Sequence, residues 1–216
     1  MATGGTRKIP SWLFWGGLLI GGVILLYFVP LFHVVPLDQS NASTGDEPFD
    51  ASEEIETFWR EQLPAVIAGA VAVEQLQAAR REDPSAAADR FGHRLGLGGR
   101  ACYLVSGIGE VQNLTARSVE IQTAGGDRVV IGLGPVFGNT IREASGVFDV
   151  NEFANSQEFN ALSTELNQRI EDRVLSSLRE ESEVGRRIRF VGGVEISDTD
   201  AIGKPLKLVP LSIDFL

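Results

Sequence analysis

The chain has 216 residues, 44% of them apolar, and its 19 lysines and arginines against 29 aspartates and glutamates give a net charge of −10. That length suffices for one ordinary domain and an appendage. The acidic balance excludes a nucleic-acid binder, because phosphate binding requires a basic face. One cysteine and two histidines exclude an intramolecular disulfide framework and a metal site rich in these residues, so we predict neither a metal nor a cofactor.

Residues 12–29 form an apolar stretch without a charge, long enough at about 1.5 Å per residue to span a bilayer as a helix. Arg7 and Lys8 precede it, and Asp38 is the first acid after it. Since positive flanks stay in the cytoplasm, this pattern predicts a single-pass anchor in the bacterial inner membrane. Residues 1–37 then form the cytoplasmic tip and the span, the rest of the chain is periplasmic, and membrane lipid is the first expected partner.

A cleaved signal peptide is the alternative interpretation of this segment, although the apolar run is long for one and no small-residue cleavage site follows it directly. No cysteine lies near the end of the run, so a lipid cannot be attached there. Gly17 and Gly21 form a GxxxG pair, a spacing that lets membrane helices approach closely, and they raise the hypothesis of a homodimer.

The residues after the span read as a tether followed by helices. Residues 38–48 are polar and rich in turn formers, which indicates a tether to an extracytoplasmic domain at residues 49–216. Asp50, with Glu53 three residues later, resembles a capping box and predicts the start of a helix that Pro64 kinks or ends. Two further helices are predicted, at residues 73–81 and 85–91.

After this helical part, residues 49–99, the pattern changes to strands. Strands are predicted at residues 102–111, 118–123, 128–133, 186–196 and 206–215, with a long helix at residues 150–183 between the third and the fourth. Three strands, a helix and two strands is the element order of an OB-fold. We therefore predict an α+β chain whose residues 100–216 form a small five-stranded OB-like barrel; the alternative is another small α+β sheet of the same order. Pro210 inside the last strand indicates an edge or a bulge.

Several stretches of the domain are similar to a bacterial family of predicted periplasmic lipoproteins, domain of unknown function 2291. The similarity is plainest in GPVFGNTIREA at residues 134–144 and extends to YLVSGIGEV at residues 103–111 and NSQEF at residues 155–159. The resemblance implies no established reaction. Because such proteins tend to be encoded beside sugar-type ABC transporters, it implies a helper role in solute uptake, with transporter components as partners. This chain has no lipobox cysteine, so the predicted anchor would take the place of the lipid.

The segment at residues 138–142 is the main candidate binding site. Asn139 and Thr140 can cap a short helix, whose start presents unpaired N–H groups, and Arg142 supplies a fork of donors for an anion or carboxylate. The other interpretation is a turn capped by Thr140, with Arg142 paired internally to an acid. In that case Arg142→Ala would damage the structure rather than the chemistry.

Two aromatic residues are further candidates for ligand contact. Trp59 lies on the apolar face of the first helix and is either packing or a stacking platform for a sugar ring, and Tyr103 on the first strand is open to the same two interpretations. Cys102 is expected to be a buried structural thiol, since no partner lies at a motif spacing. His93 is expected to cap the end of the helix before it.

No catalytic residue is predicted, because the sequence contains no GxSxG, HExxH, phosphate-binding loop or dinucleotide fingerprint. With a single anchor and a fold that usually binds, this favours a non-catalytic, membrane-anchored periplasmic binding or adaptor protein. The alternative is an envelope hydrolase whose carboxylates converge only in the fold. That alternative requires a concave pocket holding ionisable groups with shifted pKa values.

Overall fold

A computed structural model describes residues 49–95 and 99–216. The predicted span at residues 12–29, with Gly17 and Gly21, and the predicted tether at residues 38–48 lie outside the described residues. Within the described ranges, no helix combines the length and the apolar character that a membrane crossing needs.

Five long strands close into a ring. The strands are β1 Val71–Ala72, β2 Gly92–Arg94, β3 Arg100–Leu114, β4 Ser118–Thr123, β5 Arg128–Gly132, β6 Arg187–Ser197 and β7 Leu206–Phe215. Antiparallel pairs join β3 to β4, β4 to β5, β6 to β7 and β3 to β6, and a parallel pair joins β5 to β7. Each strand from β3 to β7 thus has two neighbours in the ring, and along the chain the strands follow the predicted element order of three strands, helix and two strands. The two short strands, which the sequence analysis missed, both pair with β3.

The bulge expected at Pro210 is present in β7. Val191 of β6 pairs with Ser212, whereas the next residue, Gly192, pairs with Pro210, so one extra residue stands in β7. Gly192 is needed at this point, since a Cβ there would lie 2.2 Å from the carbonyl oxygen of Val209. The bulge lets β7 bend and continue in the ring although Pro210 has no N–H to donate.

The first helix begins where the sequence predicts and continues through Pro64. Asp50 caps the Ala51–Thr57 helix by accepting a hydrogen bond of 2.8 Å from the N–H of Ser52. A π-helical turn follows at Phe58–Gln62, and the next helix covers Leu63–Ala68 with Pro64 in its first turn. A proline is tolerated in the first turn of a helix. The π-helical turn before Leu63 places Pro64 in such a first turn, so the helical segment continues where we expected a kink or an end.

The next two helices are confirmed, at Val73–Glu82 and Pro84–Phe91. Asp83 ends the first and caps the second, because its carboxylate accepts hydrogen bonds from the N–H groups of Ser85 and Ala86. The expectation that His93 caps this helix is wrong. His93 lies in β2 and pairs with Cys102 of β3.

The long predicted helix at residues 150–183 is divided in the structure. A 3-10 turn at Val150–Glu152 precedes the helix Ser156–Ile170, which we call the long helix; a π-helical turn, Glu171–Leu175, and the helix Ser176–Glu181 continue it. The start differs because Asn155 caps the long helix, accepting hydrogen bonds of 2.9 and 3.0 Å from the N–H groups of Gln157 and Glu158. A further short helix, Thr140–Ser145, lies between β5 and the long helix in the chain.

Candidate functional site

A cleft of about 640 Å³ lies between the loop that follows β5 and the long helix with its π-helical turn. The loop contributes four consecutive residues, and the helical side contributes mainly uncharged polar side chains. The lining residues are Val136, Phe137, Gly138, Asn139, Asn160, Ser163, Thr164, Asn167, Gln168, Glu171 and Asp172. We call this the Phe137 cleft.

Two hydrogen bonds hold the loop against the helix, one on each side of Phe137. The carboxylate of Glu171 accepts the N–H of Val136 at 2.7 Å, and the side-chain amide of Asn167 donates to the carbonyl oxygen of Gly138 at 2.8 Å. Asn167 is only 8% exposed, so its hydrogen bond is shielded from water. The backbone of Phe137 is therefore fixed at both ends although its side chain faces the solvent.

The ring of Phe137 is 81% exposed, the largest exposed fraction among the large apolar side chains of the described residues. Burying a phenylalanine side chain normally stabilises a protein by about 1.5–3 kcal/mol, and this loop forgoes that gain. An exposed aromatic ring on a fixed loop beside a polar cleft is a common feature of surfaces that bind a partner or ligand.

The helical wall of the cleft carries amides and hydroxyls at helical spacing. The members of this stripe are Asn160, Ser163, Thr164, Asn167 and Gln168, three or four residues apart along one face. None of these residues was predicted from the sequence as a candidate for ligand contact. The signal that could have found them is a second stripe, adjacent to the apolar one, that is polar yet uncharged in a chain of 22% charged residues.

The hydroxyl of Ser163 is buried and has no hydrogen-bond partner among the described residues. A buried serine in a helix can donate to the carbonyl oxygen four residues earlier, here that of Phe159. That oxygen already accepts a hydrogen bond of 2.8 Å from Arg142, besides the N–H of the helix itself. Thr164 shows the ordinary arrangement, since its hydroxyl donates to Asn160 at 3.3 Å. An unpaired buried hydroxyl costs about 1–3 kcal/mol, and the oxygen of Ser163 has almost no surface exposed to the solvent.

Arg142, the main sequence-predicted candidate, is paired internally. It is 6% exposed, and its guanidinium donates to the Glu143 carboxylate at 2.6 Å and to Phe159 at 2.8 Å. The guanidinium also lies 3.7 Å from the centroid of the Phe159 ring. These contacts correspond to the internal pairing that the sequence left open beside ligand binding. Arg142 lines a different hollow from the Phe137 cleft.

Asn139 and Thr140 do not cap the short helix with their side chains, contrary to expectation. Asn139 stands at the cap position, but its side-chain amide donates to Glu143 at 3.1 Å instead. Thr140 is the first helical residue, and its carbonyl oxygen would lie 3.2 Å from a Cβ at Gly193 of β6. The short helix therefore packs against the strand through a glycine. Of the predicted segment 138–142, Gly138 and Asn139 line the Phe137 cleft.

The two aromatic candidates lie elsewhere. Tyr103 is 2% exposed, and its ring would contact a Cβ at Gly92 at 2.8 Å, so it is part of the core rather than of a surface. Burial raises the pKa of its phenol. Trp59 is half-buried beside a hollow of about 210 Å³, with the guanidinium of Arg173 5.5 Å from its ring centroid. The structure therefore does not bring the predicted site residues together.

Several titratable groups outside the cleft have shifted pKa values. Cys102 is fully buried, and desolvation raises the pKa of its thiol to about 12, as expected for a structural cysteine. Burial raises the pKa of Asp127, whereas the Lys204 ammonium lowers the pKa of Asp200. Neither carboxylate lines the Phe137 cleft.

Comparison with known proteins bears on the fold and the family. No curated protein matches the sequence. A crystal structure of an OB-fold protein from Thermotoga maritima matches with a TM-score of 0.67 and 21% identity, over 79% of this chain and all of that one. At this identity the likeness shows the fold alone, and it agrees with the ring of five strands. The profile of the family described as predicted periplasmic lipoprotein, domain of unknown function 2291, matches residues 22–214. The chain therefore belongs to this family of predicted periplasmic lipoproteins.

Proposed function

We propose that this protein is a non-catalytic binding and adaptor protein of the periplasm, anchored in the inner membrane by residues 12–29. It holds a small solute in the Phe137 cleft and acts beside an ABC-type sugar uptake system. The observation that carries the proposal is the exposed Phe137 ring on a loop fixed by Glu171 and Asn167. A cleft whose loop is already fixed is suited to binding, because little conformational entropy of the loop is lost when a ligand associates.

The hydrolase alternative has less support. Two carboxylates line the cleft, but one oxygen of Glu171 accepts the Val136 N–H at 2.7 Å and so holds the loop in place. Glycoside hydrolysis needs two carboxylates free to exchange protons or attack the substrate. Asp172 is therefore the one remaining acid among the described residues that line the cleft. No second free carboxylate of this lining stands opposite it.

Site-specific photocrosslinking in native membranes tests the adaptor role. A benzophenone amino acid replaces Gln168 at the cleft in one variant and Glu120 in another, an exposed residue of β4. We expect subunits of an uptake system to crosslink to the cleft variant and not to the β4 variant, identified by mass spectrometry. A third variant, with the same amino acid in place of Leu18, tests the homodimer through Gly17 and Gly21, which Gly17→Leu should remove.

Two results would overturn the proposal. One is that neither variant crosslinks to a transport subunit while no small molecule changes the melting temperature of the full chain. The other is a turnover of an envelope polysaccharide by the purified protein that Asp172→Asn abolishes.

A further inference from the structure

We propose that the Phe137 cleft binds a small uncharged molecule with several hydroxyl groups, such as a monosaccharide or a cyclic polyol, with one face of the molecule against Phe137. This inference rests on the binding function proposed above and names the ligand class.

The charge of the lining excludes anionic ligands. Among the described residues that line the cleft there is no lysine, arginine or histidine, whereas two carboxylates, Glu171 and Asp172, are present. A phosphate or a carboxylate in this place would meet like charges without a counter-ion, in a protein whose net charge is already −10. The ligand is therefore not held by an ionic bond from a basic side chain.

The hydrogen-bonding groups suit hydroxyls. A sugar hydroxyl both donates and accepts, and a side-chain amide offers one group of each kind. Asn160 and Gln168 present such amides on the helical wall, and Asn139 presents one from the loop. Thr164 adds an exposed hydroxyl, which donates to the carbonyl oxygen of Asn160 and whose oxygen can still accept. A ligand that carried only acceptors or only donors would leave half of these groups unpaired.

Phe137 supplies the apolar counterpart. A sugar or cyclic polyol has a face of C–H groups as well as an edge of hydroxyls, and the C–H face packs well on an aromatic ring. The ring is available because it is 81% exposed, and its backbone is fixed on both sides through Val136 and Gly138. The volume of about 640 Å³ falls in the range of about 300–1,000 Å³ that small-molecule pockets cover.

The test measures binding to the full chain in mild detergent by saturation-transfer NMR and calorimetry. The uncharged probes are D-glucose, D-ribose and myo-inositol, each at up to about 10 mM, a concentration that detects weak binding. Gluconate and glucosamine are the charged probes. The variants are Phe137→Ala and Phe137→Trp, with Val184→Ala as a control because Val184 is a 66% exposed apolar residue outside the cleft.

At least one uncharged probe should bind, and gluconate should not. Phe137→Ala should weaken that binding at least tenfold, Phe137→Trp should keep it within threefold, and Val184→Ala should leave it unchanged. Equal melting temperatures of the Phe137 variants and the wild type show that folding is not the cause.

Other outcomes overturn the inference and are distinguishable from a failure of the proposed function. If only gluconate or glucosamine binds, and Phe137→Ala weakens that binding, the proposed ligand class is wrong but the cleft is still a binding site. If an uncharged probe binds with an affinity that Phe137→Ala does not change, the ligand binds outside the Phe137 cleft. No binding of any probe overturns the ligand class, and the crosslinking experiment then decides separately whether the cleft contacts a partner.

Discussion

Replacing Arg142 by methionine should destabilise the domain, because the guanidinium joins two elements of the fold. Its side chain is 6% exposed and links the short helix, through Glu143, to the carbonyl oxygen of Phe159 in the long helix. Methionine keeps the apolar stem and the contact with the ring while it removes all the donors. The change therefore isolates the hydrogen bonds and the charge.

The expected loss is about 3 kcal/mol. The hydrogen bond from a charged donor to Phe159 is worth about 1.5–3 kcal/mol. The ion pair is discounted to about 1 kcal/mol, because the Glu143 side chain is 26% exposed and partly screened by water. Stacking on the Phe159 ring adds about 0.5–1 kcal/mol, part of which the methionine sulfur retains.

Urea denaturation of the full chain in mild detergent, followed by circular dichroism, measures the effect. With a slope of about 2 kcal/mol per molar, a loss of about 3 kcal/mol lowers the midpoint by about 1.5 M. Glu143→Gln in a double-mutant cycle should show a coupling energy of about 1 kcal/mol with Arg142→Met. Arg189→Met, at an exposed position of β6, is the control and should shift the midpoint little. A loss below about 0.5 kcal/mol without coupling would refute the role of Arg142 as a link between the two helices.

Three further predictions test the fold. Gly192→Ala should cost at least about 2 kcal/mol, since its Cβ would lie 2.2 Å from a carbonyl oxygen, whereas Gly132→Ala, with nothing within 4 Å, should leave the melting temperature unchanged. Cys102, whose pKa is raised to about 12, should resist iodoacetamide at neutral pH until the protein is unfolded, as mass spectrometry will show; rapid labelling of the native protein would contradict its burial. The pKa of Asp200 is lower in the folded protein than in the unfolded chain. Its contribution to stability is therefore complete above the unfolded pKa and is lost as the pH falls through the folded pKa. Asp200→Asn should flatten the decline of the melting temperature below pH of about 4, and an unchanged decline would count against this role.

The element order was predictable because strands and helices leave strong local patterns. The alternation of β4 predicts its bounds, Ser118–Thr123, to the residue, since Val119 and Ile121 face inward while Glu120 and Gln122 face the solvent. The short strands β1 and β2 were not predictable, because strands of two or three residues exist only through their pairing with β3. We predicted that the long helix begins at residue 150, whereas it begins at Ser156. The side chain of Asn155 caps the helix there by accepting the N–H of Gln157, and this cap ends the preceding non-helical segment.

The candidate site was less predictable than the fold. The sequence identified the segment around Asn139 as unusual, and that segment does reach the Phe137 cleft. It could not show that the charge of Arg142 is used internally, because the acceptor on Phe159 comes from 17 residues further along the chain. It also could not show that Phe137 is exposed, since a phenylalanine between Val136 and Gly138 reads as a core residue.

The internal pairing of Arg142 nevertheless connects it to the cleft that it does not line. By donating to the carbonyl oxygen of Phe159, Arg142 removes the acceptor that Ser163 would otherwise use within its own helix. The hydroxyl of Ser163 thus lacks a partner among the described residues and stays buried in the helical wall of the cleft. A residue that the sequence presents as a ligand contact thereby acts within the fold, because its guanidinium uses an acceptor of the long helix.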